Sequence, residues 1–212
     1  MDNQDFLFYE KLLLNEGLRY IAGVDEVGRG PLAGDVYVTA VIMDLEKIVK
    51  GVNDSKKLTE KRRDELYPAL LKNALAISRA TASAKRIDEI NILNATKECM
   101  RDAVMSLEIK PDAVLIDAVK LDLPFKTISI VHGDSLSYSI ACASVIAKVE
   151  RDTAMTLLHN EYPEYGFKDN KGYGTKSHIE AILKYGMCPH HRRVYVETAI
   201  NNYKAKAAAG ES

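Results

Sequence analysis

A chain of 212 residues, 47% of them hydrophobic, can bury a sizeable core and is not disordered by composition. Its net charge of −1 lacks the basic footprint of a typical nucleic-acid binder, and no run of about eighteen apolar residues marks a membrane span. The N-terminal MDNQDFLFYEKLLL has neither the basic start nor the small-residue cleavage site of a secretory signal, so a soluble cytoplasmic chain is expected.

Taken in chain order, DFLFYEKLLLNEG predicts a short helix closed by Gly17, because glycine accepts the left-handed conformation past a last helical turn. Tyr20 to Val27 reads as a strand, and DVYVTAVIM as a second, with only the loop GRGPLAG between them, so the two are expected to form an antiparallel hairpin. Thr59 is a candidate N-cap for a charged helix that Pro68 should kink or end. LAISRATAS, Leu75 to Ser83, alternates like a strand, and Asn91 to Leu107 has helical spacing. AVLID, Ala113 to Asp117, is a wholly apolar run ending in an acid, which suits a strand buried on both faces. KTISIV is another strand, after which HGD brings Asp134 to the mouth of one long helix reaching Tyr162. Small residues at Ser139, Ala141, Ala143, Ser144 and Ala147 would let that helix lie close to a sheet. A last helix is expected from about Lys176 to Tyr185, and the end of the chain should fray.

Strands early and helices late predict a mixed α/β fold rather than a doubly wound nucleotide fold. The glycine loop has near-dinucleotide spacing, but Pro31 and a strand follow where a helix N-terminus should receive pyrophosphate. No GxxxxGK[ST] occurs either. What remains is four carboxylates, Asp25, Glu26, Asp117 and Asp134, each at a strand end or a helix entrance. Two adjacent ionised acids repel unless a cation or a proton holds them. Oxygen donors without neighbouring His or Cys favour a hard cation, Mg²⁺ or Mn²⁺, and such ions at a phosphodiester support nuclease chemistry. Asp25 and Glu26 would share one site only if the strand bends there, since neighbouring side chains on a strand point to opposite faces. Gly28 and Gly30 favour a bend.

The remaining chemistry-bearing residues carry little by themselves. Cys99, Cys142 and Cys188 form no CxxC pair and read as reduced core thiols. His132, His159, His178, His190 and His191 have no spacing that suggests a triad or a zinc site, and two adjacent histidines near the C-terminus read as surface or capping groups. Lys50 to Arg63 carries six basic residues against two acids, and Lys168, Lys171, Lys176, Arg192 and Arg193 form a second, sparser basic set. Acids gathered at one metal site would offset such a rim in the total charge.

GVDEVGRGPLAG, NDSKKLTEKRRDELY, VLIDAVK, HGD, SVIAKVERD, YPEYGFKDNKGYGTKSH and CPHHR, in this order from Tyr20 to Arg193, give the chain its resemblance to the bacterial ribonuclease HII family. The resemblance implies a ribonuclease H-like mixed sheet flanked by helices, with a core over about 18–160, a helical C-terminal part over about 161–203 and a frayed tail over 204–212, all in a single domain. It implies an endonuclease that cuts the RNA strand of RNA/DNA hybrids and cuts duplex DNA on the 5′ side of a single ribonucleotide, leaving a 3′ hydroxyl.

 In plain terms, the implied activity is that of a hydrolase, a divalent-metal-dependent endoribonuclease, working as a monomer on RNA/DNA hybrid and on ribonucleotide-containing duplex DNA, away from membranes.

Carried over by motif, Asp25, Glu26, Asp117 and Asp134 become the catalytic carboxylates and the ligands of one or two Mg²⁺ or Mn²⁺ ions. Only the 2′-OH tells a ribose from a deoxyribose. The family reads it largely with main-chain groups of its GRG motif, here Gly28, Arg29 and Gly30, and with a tyrosine matched by Tyr173. Lys56, Ser144 and Lys148 match residues that position phosphates, fixing register without reading sequence. Three positions depart from the family pattern: Ala118 stands where Gly is common, His132 where Lys is common, and Asp35 where Pro is common. His132 and Asp35 alter charge near the site, and none of the three replaces a carboxylate. Two other classes are weighed. Ribonuclease HIII prefers longer RNA stretches, usually has lysine at the position of Arg29 and carries an extra N-terminal domain. A non-catalytic hybrid-binding module would have lost its acids.

Overall fold

The computed structural model describes residues 5–208. In chain order these form α1 (Phe8–Asn15), β1 (Ile21–Val27), β2 (Val36–Met43), α2 (Glu60–Asn73), β3 (Ala74–Ala82), α3 (Ala84–Ile90), α4 (Ile92–Met105), β4 (Ala113–Asp117), β5 (Lys126–Ile130), α5 (Gly133–Leu136), α6 (Tyr138–Glu161), α7 (Phe167–Asn170), α8 (Lys176–Tyr185) and α9 (Arg193–Ala208). The chain divides into two compact units. The first comprises the chain up to Val27 with Tyr37–Thr81 and Thr96–Glu150; the second comprises Gly28–Val36, Ala82–Ala95 and the chain from Arg151 onward. No helix among the described residues is long and apolar enough to cross a membrane.

The first unit is built on a five-stranded sheet in the order β3-β2-β1-β4-β5. β1 pairs antiparallel with β2, as the short loop between them predicts, and parallel with β4, which pairs parallel with β5. The apolar runs of β1 and β4 are buried at nearly every position because each has a strand on both sides. Gly23 in β1 shows how closely a helix approaches: a Cβ there would lie 2.1 Å from the Ser139 carbonyl carbon of α6. The small residues of α6 do bring it against the sheet.

Several local expectations need correction. Pro68 neither ends α2 nor confines it, since the helix runs on to Asn73. Asp64, whose carbonyl loses its helical partner to the proline, is exposed, so water can serve that oxygen. Thr59 does cap α2, its hydroxyl accepting from the Arg62 N–H. The long helix expected from Asp134 is broken at Ser137, which is extended. Fully buried Glu10 causes the break locally: one carboxylate oxygen accepts from the Ser137 hydroxyl at 2.6 Å and from the Ser139 N–H at 2.9 Å, capping α6 with a side chain from α1.

In the second unit, α3 was not anticipated; Ser83 caps it, and Asn91, with φ +66°, separates it from α4. The C-terminal residues expected to fray from 204 are helical through Ala208, and the last four lie outside the described residues. The unit's core gathers Leu32, Ala33, Tyr165, Phe167, Ile179, Ile182 and Val196.

Candidate active site

Parallel pairing explains how distant acids meet. The β1–β4 ladder runs to Val24 opposite Ile116, so Asp25 and Asp117 are the next residues at the carboxyl ends of neighbouring strands, on the same face. Asp134 enters from the end of β5, four residues past Ile130. Open α/β sheets characteristically place ligands at this edge.

Asp25 is 3% exposed. Burial, then the charges of Glu26 and Asp117, hold its carboxyl well above the usual range, against hydrogen bonds from Ser144 and from the Glu26 N–H at 2.8 Å. The β1–β2 register continues unbroken through Glu26 opposite Val38 and Val27 opposite Tyr37. The bend expected at Asp25 and Glu26 therefore comes after them, at Gly28, with φ +94°; it is not needed for the two acids to interact, since the Glu26 charge reaches Asp25 without it. Burial also raises Asp117, followed by the charge of Asp134, while the Gly133 N–H donated to its Oδ1 at 2.7 Å, Lys56 and His132 pull it back. Among the described residues, no three His, Cys, Asp or Glu side chains stand close enough to grip a metal ion as they are. The donors nonetheless fit a hard cation in kind: all are carboxylate oxygens, and their mutual repulsion is what a cation relieves.

Lys56 sits in a short turn, Ser55–Lys57, capped by Asp54 and pinned by Arg63, whose guanidinium donates to the Ser55 and Leu58 carbonyls. Its ammonium donates to Asp134 at 3.1 Å while the side chain stays 79% exposed. Burial would lower Lys56, but Asp134, with Asp25 and Asp54 behind it, leaves it raised. Ser144 is buried, its hydroxyl 2.8 Å from that of Ser55, so it serves Asp25 rather than solvent. Lys148 lies one turn along α6 and is half-buried.

Ala118 has φ +49° and His132 φ +59°. A left-handed backbone favours glycine at the Ala118 position, since a Cβ costs energy there. Ala118→Gly should stabilise the chain by about 0.5–1 kcal/mol after glycine's greater unfolded freedom is subtracted. A higher urea midpoint with unchanged slope would show it. His132 is among the groups that lower Asp117.

The second unit holds Gly28, Arg29, Gly30 and Tyr173. A Cβ on Gly28 would meet the Arg151 Nε at 2.3 Å. Arg192, expected on a basic rim, is instead 0% exposed. Its guanidinium donates to the carbonyls of Gly28 at 2.6 Å, Arg29 at 2.9 Å and Gly34 at 2.7 Å. Arg151 donates to those of Ala33, Asp35 and Lys171. Two arginines thus hold the glycine loop by its oxygens. Burial raises the Asp35 carboxyl, opposed by His190, Arg192 and Arg151. The Gly172 carbonyl accepts from the Leu32 and Ala33 N–H groups, and the ring of Tyr173, 46% exposed, lies 3.7 Å from where a Cβ on Gly30 would be. Sequence reasoning missed both arginines; their place in motifs rather than in charge runs was the available signal.

Residues 22–198 match the family model described as Ribonuclease HII. A ribonuclease HII of Caldicellulosiruptor bescii is 48% identical over 201 residues, covering 94% of this chain and 98% of that protein. The crystal structure of the ribonuclease H2 from Pyrococcus horikoshii OT3 superposes with a TM-score of 0.74 at 27% identity, covering 88% of this chain and 99% of that one. Bst-RNase HIII in complex with Mn²⁺ shares the fold, with a TM-score of 0.63 at 18% identity over 88% of this chain and 70% of that one.

Proposed function

The chain belongs to the ribonuclease HII family, and from that premise we propose that its first unit cuts a phosphodiester while its second reads a ribose. It is an endoribonuclease acting on the RNA strand of RNA/DNA hybrids. Asp25, Glu26 and Asp117, with Asp134 as the fourth carboxylate, would hold Mg²⁺ or Mn²⁺; one or two such ions, when bound, activate a water and stabilise the leaving oxygen. The observation that carries this assignment is Asp25 buried beside Asp117, its carboxyl raised by that burial and then by the charges of Glu26 and Asp117.

The remaining residues orient and neutralise. Ser144 donates to Asp25 and fixes its carboxylate. Lys56 offers an exposed ammonium to the phosphate, and Lys148 lies on the Ser144 face of α6. Because Arg192 takes the carbonyls of Gly28 and Arg29, the loop's N–H groups are what it can offer a 2′-OH. The exposed ring of Tyr173 packs on the adjoining sugar. Hydrolysis adds a water oxygen to phosphorus and breaks the P–O3′ bond on the 5′ side of the ribonucleotide, leaving a 3′-OH and a 5′-phosphate.

Incubating the protein with a duplex containing one ribonucleotide tests the reading. Cutting 5′ of that ribonucleotide with Mg²⁺ or Mn²⁺, and none with chelator, is expected; retention of uncut duplex would identify a binding module, and preference for a long hybrid would point to the HIII activity. Tyr173→Ala should lower cleavage of the single-ribonucleotide duplex about tenfold relative to long hybrid, the scale of one lost stacking contact. Unchanged relative rates would remove Tyr173 from recognition.

A further inference from the structure

His178 and His191 are both buried; for His191, one of two adjacent histidines, a surface or capping role was expected. Their Nε2 atoms lie 3.0 Å apart. At one end of the pair, the Cys188 N–H donates to His191 Nδ1 at 2.9 Å; at the other, His178 Nδ1 is 2.8 Å from the Tyr173 carbonyl oxygen. A backbone N–H can only donate and a carbonyl can only accept. His191 Nδ1 therefore carries no proton, and its single proton sits on Nε2 and points at His178. His178 Nε2 must accept it, which places the His178 proton on Nδ1, aimed at Tyr173. One assignment satisfies every contact, and it runs in one direction with both rings neutral.

The surroundings favour that neutral state. The Tyr165 ring meets His191 edge-on at 4.7 Å, and the Phe167 ring meets His178 edge-on at 5.4 Å. Burial lowers both histidines, His191 to about 4 with the help of His178.

We propose that His178 and His191 form a fixed-direction hydrogen-bond relay that positions Tyr173 against the sugar beside the ribonucleotide, making them specificity-determining positioning residues. The inference rests on the reading of Tyr173 given above. The Tyr173 carbonyl also accepts from the Thr175 N–H at 2.9 Å, so the relay fills its second lone pair and locks the peptide from which the ring projects.

The test compares kcat/KM on a single-ribonucleotide duplex with that on a long hybrid. His178→Ala should lower the ratio about fivefold, the worth of one neutral hydrogen bond. His178→Asn, whose amide N–H can take the place of Nδ1–H, should restore most of it. In a Tyr173→Ala background, His178→Ala should change the ratio no further, because it acts through Tyr173. Imidazole ¹⁵N spectra of the wild type should show the Nδ1–H tautomer for His178 and Nε2–H for His191. The proposal is overturned if the tautomers are otherwise, if His178→Ala lowers both rates equally, or if its effect adds to that of Tyr173→Ala. Loss of the ratio in Tyr173→Ala but not in His178→Ala would sink the relay alone; no loss in Tyr173→Ala would sink the Tyr173 reading and the relay with it.

Discussion

Asp25→Asn is expected to abolish cleavage while making the metal-free protein more stable. The activity loss should be about 10³-fold or more, the scale seen when a preorganised electrostatic group is removed. The stability gain follows from the same burial: an amide keeps one accepting oxygen and carries no charge for Glu26 and Asp117 to repel. A gain on the order of 1–2 kcal/mol is expected, as for other active-site residues held at a cost to the fold. The pH dependence has a definite sign. The unfolded carboxyl loses its proton around 3.8, whereas the folded one keeps it to a well raised value. Between those values the folded state binds more protons, so metal-free stability falls as pH rises through the window. Asp25→Asn should lack this contribution. Urea unfolding across pH would reveal equal slopes if Asp25 were an ordinary strand-end acid.

Arg192→Ala should be the most destabilising single change in the second unit, by about 4 kcal/mol, because the carbonyls of Gly28, Arg29 and Gly34 lose a buried partner together. Burial, then the charge of Arg151, lowers the Arg192 guanidinium to about 10, so it stays charged at neutral pH. Arg192→Lys keeps the charge but has no planar fork to reach three oxygens. It should fold, yet cut a single-ribonucleotide duplex about tenfold less efficiently, because a loop misplaced by a fraction of an ångström loses its grip on the 2′-OH. Wild-type rates in Arg192→Lys would mean that the loop holds its shape without this clamp.

Much of the first unit was legible in the sequence, because its signals are local. Alternation and a short loop gave the β1–β2 hairpin, the apolar run gave β4, and Thr59 marked the start of α2. The carboxylates were legible as strand-end acids, although their convergence depends on parallel pairing of β1 with β4 across ninety or so residues of chain, which no local pattern encodes. What the sequence hid was tertiary. Glu10 breaks a helix whose own sequence reads as continuous. Arg192 reads as surface charge, and Arg151 carries no reading of its own, until the carbonyls that bury them are placed. The pairing of His178 with His191 was hidden because their other partners are a backbone N–H and a carbonyl, which every residue has.

The gathering of Asp25, Glu26 and Asp117 around a shared cation is tested most directly by calorimetric titration of Mn²⁺ in two buffers that differ in ionisation heat, on the wild type and on Asp117→Asn. Binding to the wild type should release protons, because the raised Asp25 must give one up to ligate, and Asp117→Asn should bind at least about tenfold more weakly. Equal affinity in the two proteins, with no proton released, would show that these side chains do not hold an ion in common.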